Sequence, residues 1–61
     1  MREQILDIWT EVKTLVEVLE VDIHKNANGN KSAGVRSRKG LRLVKKKTAE
    51  LVKESLTVDK Q

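Results

Sequence analysis

The chain has 61 residues, enough for one small domain. Thirteen Lys and Arg against nine Asp and Glu give a formal net charge of +4. One histidine and no cysteine exclude disulfides, ordinary zinc sites and triads built on Cys or His. No apolar run approaches the ~18 residues of a membrane span, and no signal-peptide pattern is present. We therefore expect no enzyme, metal, cofactor, small-molecule substrate or membrane, and a cytoplasmic location.

The first half has the apolar spacing of a helix, because large apolar residues recur in steps of three and four. This spacing predicts helix one at about residues 3 to 25. Trp9, the only aromatic residue, Val16 and Ile23 widen the apolar stripe on one side, and we expect Trp9 to lie in the core. The stripe itself consists of Ile5, Ile8, Val12, Leu15 and Leu19.

One break separates this helix from a second. Residues 26 to 31 contain Gly29 and three asparagines, which tolerate the left-handed backbone that ends a helix. Asn30 or Ser32 can cap the next helix, predicted at about residues 32 to 57. Its predicted contact face is Gly34, Ser37, Leu41, Val44, Thr48, Leu51, Ser55 and Val58, broadened by Val52 and Leu56.

The short loop predicts an all-α fold, a single antiparallel two-helix hairpin over residues 1 to 61. Small residues beside the turn (Ala33, Gly34, Ser37 and Gly40) allow the two backbones to approach closely. Two helices bury only one face of each other, and Val18 and Val21 lie off both stripes. We therefore predict a homodimer in which two hairpins form a four-helix bundle.

Charge is divided unequally between the halves. Residues 1 to 24 hold two basic and six acidic residues, whereas residues 25 to 61 hold eleven basic and three acidic residues. Residues 31 to 47 contain eight bases and no acid, and such a density favours an anionic partner. The predicted binding residues are Lys31, Arg36, Arg38, Lys39, Arg42, Lys45, Lys46, Lys47 and Lys53.

Four of these residues form one ridge at 100° per residue, within about 60° of arc. This basic ridge consists of Lys39, Arg42, Lys46 and Lys53, and we expect it to lie beside the apolar contact face of helix two. A competing interpretation is that these basic residues only form ion pairs with acidic residues of helix one. In that case Glu20, Glu17 and Glu11 would face Arg36, Lys39 and Lys45 to Lys46, with each pair worth about 0 to 1 kcal/mol. Too few acids lie there to neutralise all eight bases.

The run from residue 29 to residue 41 carries a more specific pattern. Gly29-Asn30-Lys31-Ser32-Ala33-Gly34-Val35-Arg36-Ser37-Arg38-Lys39-Gly40-Leu41 resembles the Gly-Asn-x-x-Ala-Gly-x-Arg-x-Arg-Lys signature of the bacterial linker-histone-like nucleoproteins. The resemblance covers about residues 24 to 56. It implies a histone-like nucleoid protein of the short form without a Lys/Ala-rich tail, which binds double-stranded DNA independently of sequence and organises or condenses the chromosome.

Two other classes of function stay open. RNA can use the same ridge, because phosphate recognition barely distinguishes the two polymers. The second class is a helical dimerisation module that docks an acidic protein. Whether DNA would be coated, bent or bridged is also open.

Overall fold

The computed structural model describes residues 2 to 60. Helix α1 spans Arg2–Ala27 and helix α2 spans Lys31–Asp59, so both run slightly beyond the predicted bounds. The helices pack against each other as an all-helical hairpin that measures 48 × 14 × 11 Å, which confirms the predicted fold class. Within residues 2 to 60, neither helix has an apolar stretch of the length and hydropathy required to cross a bilayer.

The turn between the helices is built from three residues. Gly29 has φ +98°, in the left-handed region that favours glycine, as the sequence predicts. The Asn30 N–H donates to the Lys25 carbonyl (3.0 Å) and the Gly29 N–H donates to the Asn26 carbonyl (2.9 Å). These bonds form a Schellman motif, which satisfies the last carbonyls of α1 and reverses the chain.

Asn30 begins the second helix. Its backbone is extended, and its Oδ1 accepts a hydrogen bond from the Ala33 N–H at 2.9 Å. This is the N-cap arrangement predicted for Asn30, and it satisfies one of the free N–H groups at the start of α2. The Asn26 side chain reaches back from α1 and donates to the Asn30 carbonyl at 3.2 Å. The two helix ends are thereby tied together.

Small residues of α2 make the close approach that the sequence predicts. Ala33, Gly34 and Ser37 are buried. Gly34 lies against Asn26, since a Cβ at position 34 would lie 2.9 Å from the Asn26 Cγ. Gly40 receives Leu19, which is 5% exposed. Among residues 2 to 60, Val12 is the other large apolar side chain that is buried, so the interior is a narrow line between the helices.

The contact face of α2 differs from the prediction. The buried and half-buried positions continue through Gly40, Val44, Lys47, Leu51, Glu54 and Val58, whereas the predicted Leu41, Thr48 and Ser55 are exposed. The reason is Gly40: without a Cβ it gives Leu19 a place to pack. Alignment of Gly40 with α1 turns Leu41, its neighbour in sequence, onto the flank of the hairpin.

The core is also narrower on α1 than predicted. Trp9, Val16 and Ile23 are 47%, 54% and 43% exposed, so the prediction that Trp9 is a core residue is wrong for the single hairpin. Ile5, Ile8 and Leu15 are half-buried. A two-helix structure offers each helix one neighbour. Trp9, Val16 and Ile23 lie on the flank of α1, where that neighbour does not cover them.

Candidate nucleic-acid interface

Two predicted binding residues are held by carboxylates of α1. Arg36 donates two hydrogen bonds to Asp22, from Nε to Oδ2 at 3.1 Å and from Nη2 to Oδ1 at 3.0 Å. The Lys47 Nζ lies 2.8 Å from Glu11 Oε2 and 3.7 Å from Glu50 Oε2. The expectation that Glu17 and Glu20 face the bases of α2 is wrong. Among residues 2 to 60 neither glutamate pairs with α2, because the helix rotation places Asp22 and Glu11 beside it instead.

The ion pairs shift the pKa values of their members. The hydrogen bond from Arg36 holds the pKa of the Asp22 carboxyl below its ordinary value, and the same bond raises the pKa of Arg36. The hydrogen bond to Glu11 raises the pKa of Lys47. These three groups therefore stay charged around neutral pH.

The other seven predicted binding residues have no ion-pair partner among residues 2 to 60. They are exposed. The basic ridge accounts for four of them. We call the full set the basic face: Lys31, Arg38, Lys39, Arg42, Lys45, Lys46 and Lys53.

The basic face points away from α1. Positions 33, 37, 40, 44 and 47 mark the side of α2 that contacts α1. A rotation of 100° per residue places the ridge on the opposite side of the helix, rather than beside the contact face as the sequence suggested. From Lys31 to Lys53 the face is about 33 Å long at 1.5 Å per residue, close to one turn of B-DNA.

An open groove of about 540 Å³ runs between the ridge and the ion-paired flank. Its cationic lining residues are Arg36, Lys39, Arg42 and Lys46, and Gly40 and Leu43 line its floor. An apolar floor with a cationic rim can accept a sugar together with its flanking phosphates. Gly40 and Leu43 were not predicted to line a groove beside the bases, although Leu43 lies at helical spacing between Lys39 and Lys46.

The start of α2 also explains the sequence signature. Gly29 makes the left-handed turn, Asn30 caps α2, and Ala33 (0% exposed) and Gly34 pack against α1. The arginine and lysine positions of the signature (36, 38 and 39) are exposed, on either side of the buried Ser37 in the sequence. The motif therefore contains a structural half and a charged half.

A comparison with known families decides the relationship. The family model described as "Histone H1-like protein Hc1" matches residues 7–61. The chain belongs to this histone H1-like Hc1 family. Membership confirms the resemblance to bacterial histone-like nucleoproteins and indicates a DNA-binding nucleoid protein from a family of structural DNA-binding proteins. No curated protein and no solved structure gives a significant match.

Proposed function

We propose that this protein binds duplex DNA independently of sequence through the basic face of α2, as a nucleoid protein of the cytoplasm. The observation that carries the proposal is the set of seven exposed cations without ion-pair partners within residues 2 to 60. Phosphates would replace the missing carboxylates and release their condensed counterions.

The composition of the face supports binding without sequence readout. Base-specific recognition depends on side chains such as Asn and Gln, or on arginines placed in the major groove by a docked helix. Neither Asn nor Gln occurs between Lys31 and Asp59. A 33 Å row of flexible lysines and arginines suits a row of phosphates instead. Arg36, which lines the groove, and the ion-paired Lys47 remain proposed contacts.

We also propose that the active form is a homodimer. Eleven large apolar side chains of one hairpin are 41% exposed or more, including Trp9 and Val16. A second copy is the simplest cover for them, and it doubles the number of phosphate contacts.

The test is the salt dependence of DNA affinity, measured by fluorescence anisotropy on a labelled duplex. The triple variant K39Q/R42Q/K46Q should lower the slope of log K against log[salt] by about 0.9 for each lost contact, hence by about 2.7. The matched control R2Q/K13Q/K25Q removes the same charge from α1 and should leave most of the slope.

Two outcomes would contradict the proposal. An affinity that does not depend on salt would exclude phosphate neutralisation, and equal effects of the two triple variants would exclude α2 as the binding side. Competition with structured RNA belongs in the same experiment. Displacement of the duplex by RNA at lower concentration than by DNA would reassign the face to RNA.

A further inference from the structure

The two long flanks of the hairpin are different. The ion pairs Asp22–Arg36 and Glu11–Lys47 lie on one flank. A rotation of 100° per residue from these pairs places five exposed apolar side chains together on the other flank. We call this the apolar flank: Trp9, Val16 and Ile23 of α1 with Leu41 and Val52 of α2.

The antiparallel register makes the apolar flank continuous. Facing residues have numbers that sum to 58 or 59, as in Asp22 with Arg36 and Leu19 with Gly40. Leu41 therefore lies level with the stretch between Val16 and Ile23, and Val52 lies level with the turn before Trp9. The α1 residues therefore form a stripe along this flank, and α2 adds Leu41 and Val52 beside the polar Thr48 and Ser55.

The helices themselves have opposite charge. The α1 sequence carries three basic and six acidic residues, a net charge of −3. The α2 sequence carries nine basic and three acidic residues, a net charge of +6. When two apolar flanks meet around a two-fold axis, either each α1 lies over the partner's α2, or the two α2 helices lie side by side.

Charge decides between the two arrangements. The second brings two helices of +6 within about 10 Å of each other, whereas the first places each of them beside a helix of −3. Glu20 supports the first arrangement, because it lies at the α1 rim of the apolar flank with no ion pair among the described residues. At the level of residue 39, it lies at the height of the exposed Arg38 of an α2 opposite, at the edge of the basic face nearest this flank.

We propose that a second copy of this chain covers the apolar flank, with each α1 packed on the partner's α2 and both loops at the same end of the bundle. The two basic faces then point in opposite directions. Resting on the proposed DNA binding, this geometry makes the dimer a bridge between two duplexes, since one duplex cannot reach both faces of a straight bundle.

The position of the loops in the dimer can be measured with a spin label. Because the chain has no cysteine of its own, a single introduced cysteine is the only site that the label modifies. Asn28 is exposed and its side chain makes no hydrogen bond among the described residues, so N28C accepts one spin label per protomer. Loops at the same end predict a label separation of about 15 to 30 Å by pulsed electron resonance. A separation of about 40 to 50 Å, near the helix length, would place the loops at opposite ends and overturn the arrangement.

Variants of two valines test which flank forms the dimer interface. Val16 lies on the apolar flank and Val18 on the ion-paired flank, and both are more than half exposed in the single hairpin. Val16→Glu should lower the dimer fraction at least tenfold in sedimentation equilibrium, while Val18→Glu should leave it nearly unchanged. The reverse result would show that the ion-paired flank is the interface.

Bridging is measured as the amount of a labelled free duplex that is retained on beads carrying an immobilised duplex. The wild type and V18E should capture it, whereas V16E should bind the immobilised duplex without capturing a second one. A dimer that binds DNA and captures no second duplex would overturn bridging and leave the proposed function intact. Absence of binding to the immobilised duplex would instead contradict the proposed function, while the label separation would still test the dimer.

Discussion

Leu19 packs directly against Gly40, so that a Cβ added to the glycine would lie 3.1 Å from the Leu19 Cγ. Leu19 is one of two large apolar side chains that are buried between the helices, and this contact fixes which side of α2 faces α1. The rotation of α2 in turn directs Leu41 to the apolar flank and the basic ridge to the outside.

Gly40→Ala should destabilise the hairpin although alanine is the better helix former. Helix propensity contributes a gain of about 1 kcal/mol, and displacement of the packed Leu19 costs about 1 to 3 kcal/mol. In a Leu19→Ala background the displacement is absent, and the same change should be stabilising by about 1 kcal/mol. Urea unfolding of the four proteins, followed by circular dichroism at one protein concentration, measures this reversal of sign. The same effect in both backgrounds would show that the contact is not specific.

Asn30→Ala should lower stability by about 1 kcal/mol, because the Ala33 N–H loses the cap that Asn30 Oδ1 supplies. Asn30→Ser should retain most of the stability, since a serine oxygen can accept the same hydrogen bond. Asn28→Ala is the control, because its side chain makes no hydrogen bond among the described residues. Equal midpoints for the alanine variants at positions 28 and 30 in urea would argue against a capping role.

Ser37→Ala should stabilise the protein. The Ser37 Oγ is buried and has no hydrogen-bond partner among the described residues, so its removal relieves a desolvation cost. Together with helix propensity, we expect a gain of about 1 to 2 kcal/mol in the free energy of unfolding. Ser55→Ala, at an exposed site of the same helix, should gain only about 0.5 kcal/mol. A loss of stability in S37A would mean that the hydroxyl makes a necessary hydrogen bond.

The Asp22–Arg36 pair should contribute stability that depends on pH. Because Arg36 lowers the pKa of Asp22 in the folded state, the contribution is present above the ordinary value of 3.8 and disappears as the pH falls through the folded pKa. Asp22→Asn should therefore lower the thermal midpoint slightly at pH 7 and flatten its fall between pH 5 and 2. Glu17→Gln, which removes a carboxylate with no ion pair among the described residues, should keep the wild-type acid profile. Identical profiles for the wild type and D22N would exclude the linkage.

The elements of the hairpin follow from local features of the chain. Apolar steps of three and four residues predict both helices, Gly29 predicts the left-handed turn, and Asn30 is one of the two predicted caps. The close approach through Ala33, Gly34, Ser37 and Gly40 was also visible as a cluster of small residues. Each of these depends on a few neighbouring residues, which is why a single sequence contains them.

The partners of individual side chains were not predictable in the same way. Arg36 was expected opposite the glutamates near Glu20 and instead binds Asp22, and Thr48 was expected at the contact face and instead lies outside it. A change of one residue in the register between two helices rotates every contact by 100°. The periodicity of one helix does not contain that register.

The sequence by itself determined two amphipathic helices, the turn that joins them, and a surplus of positive charge on the second helix. Only the tertiary structure decided which cations are neutralised: Arg36 and Lys47 are paired, and the seven residues of the basic face form no ion pair within residues 2 to 60. It also decided that Trp9 and Val16 lie on the same flank as Leu41. Composition and spacing act within one helix, whereas pairing and exposure depend on how a second helix is rotated against the first, and here the packing of Leu19 on Gly40 sets that rotation.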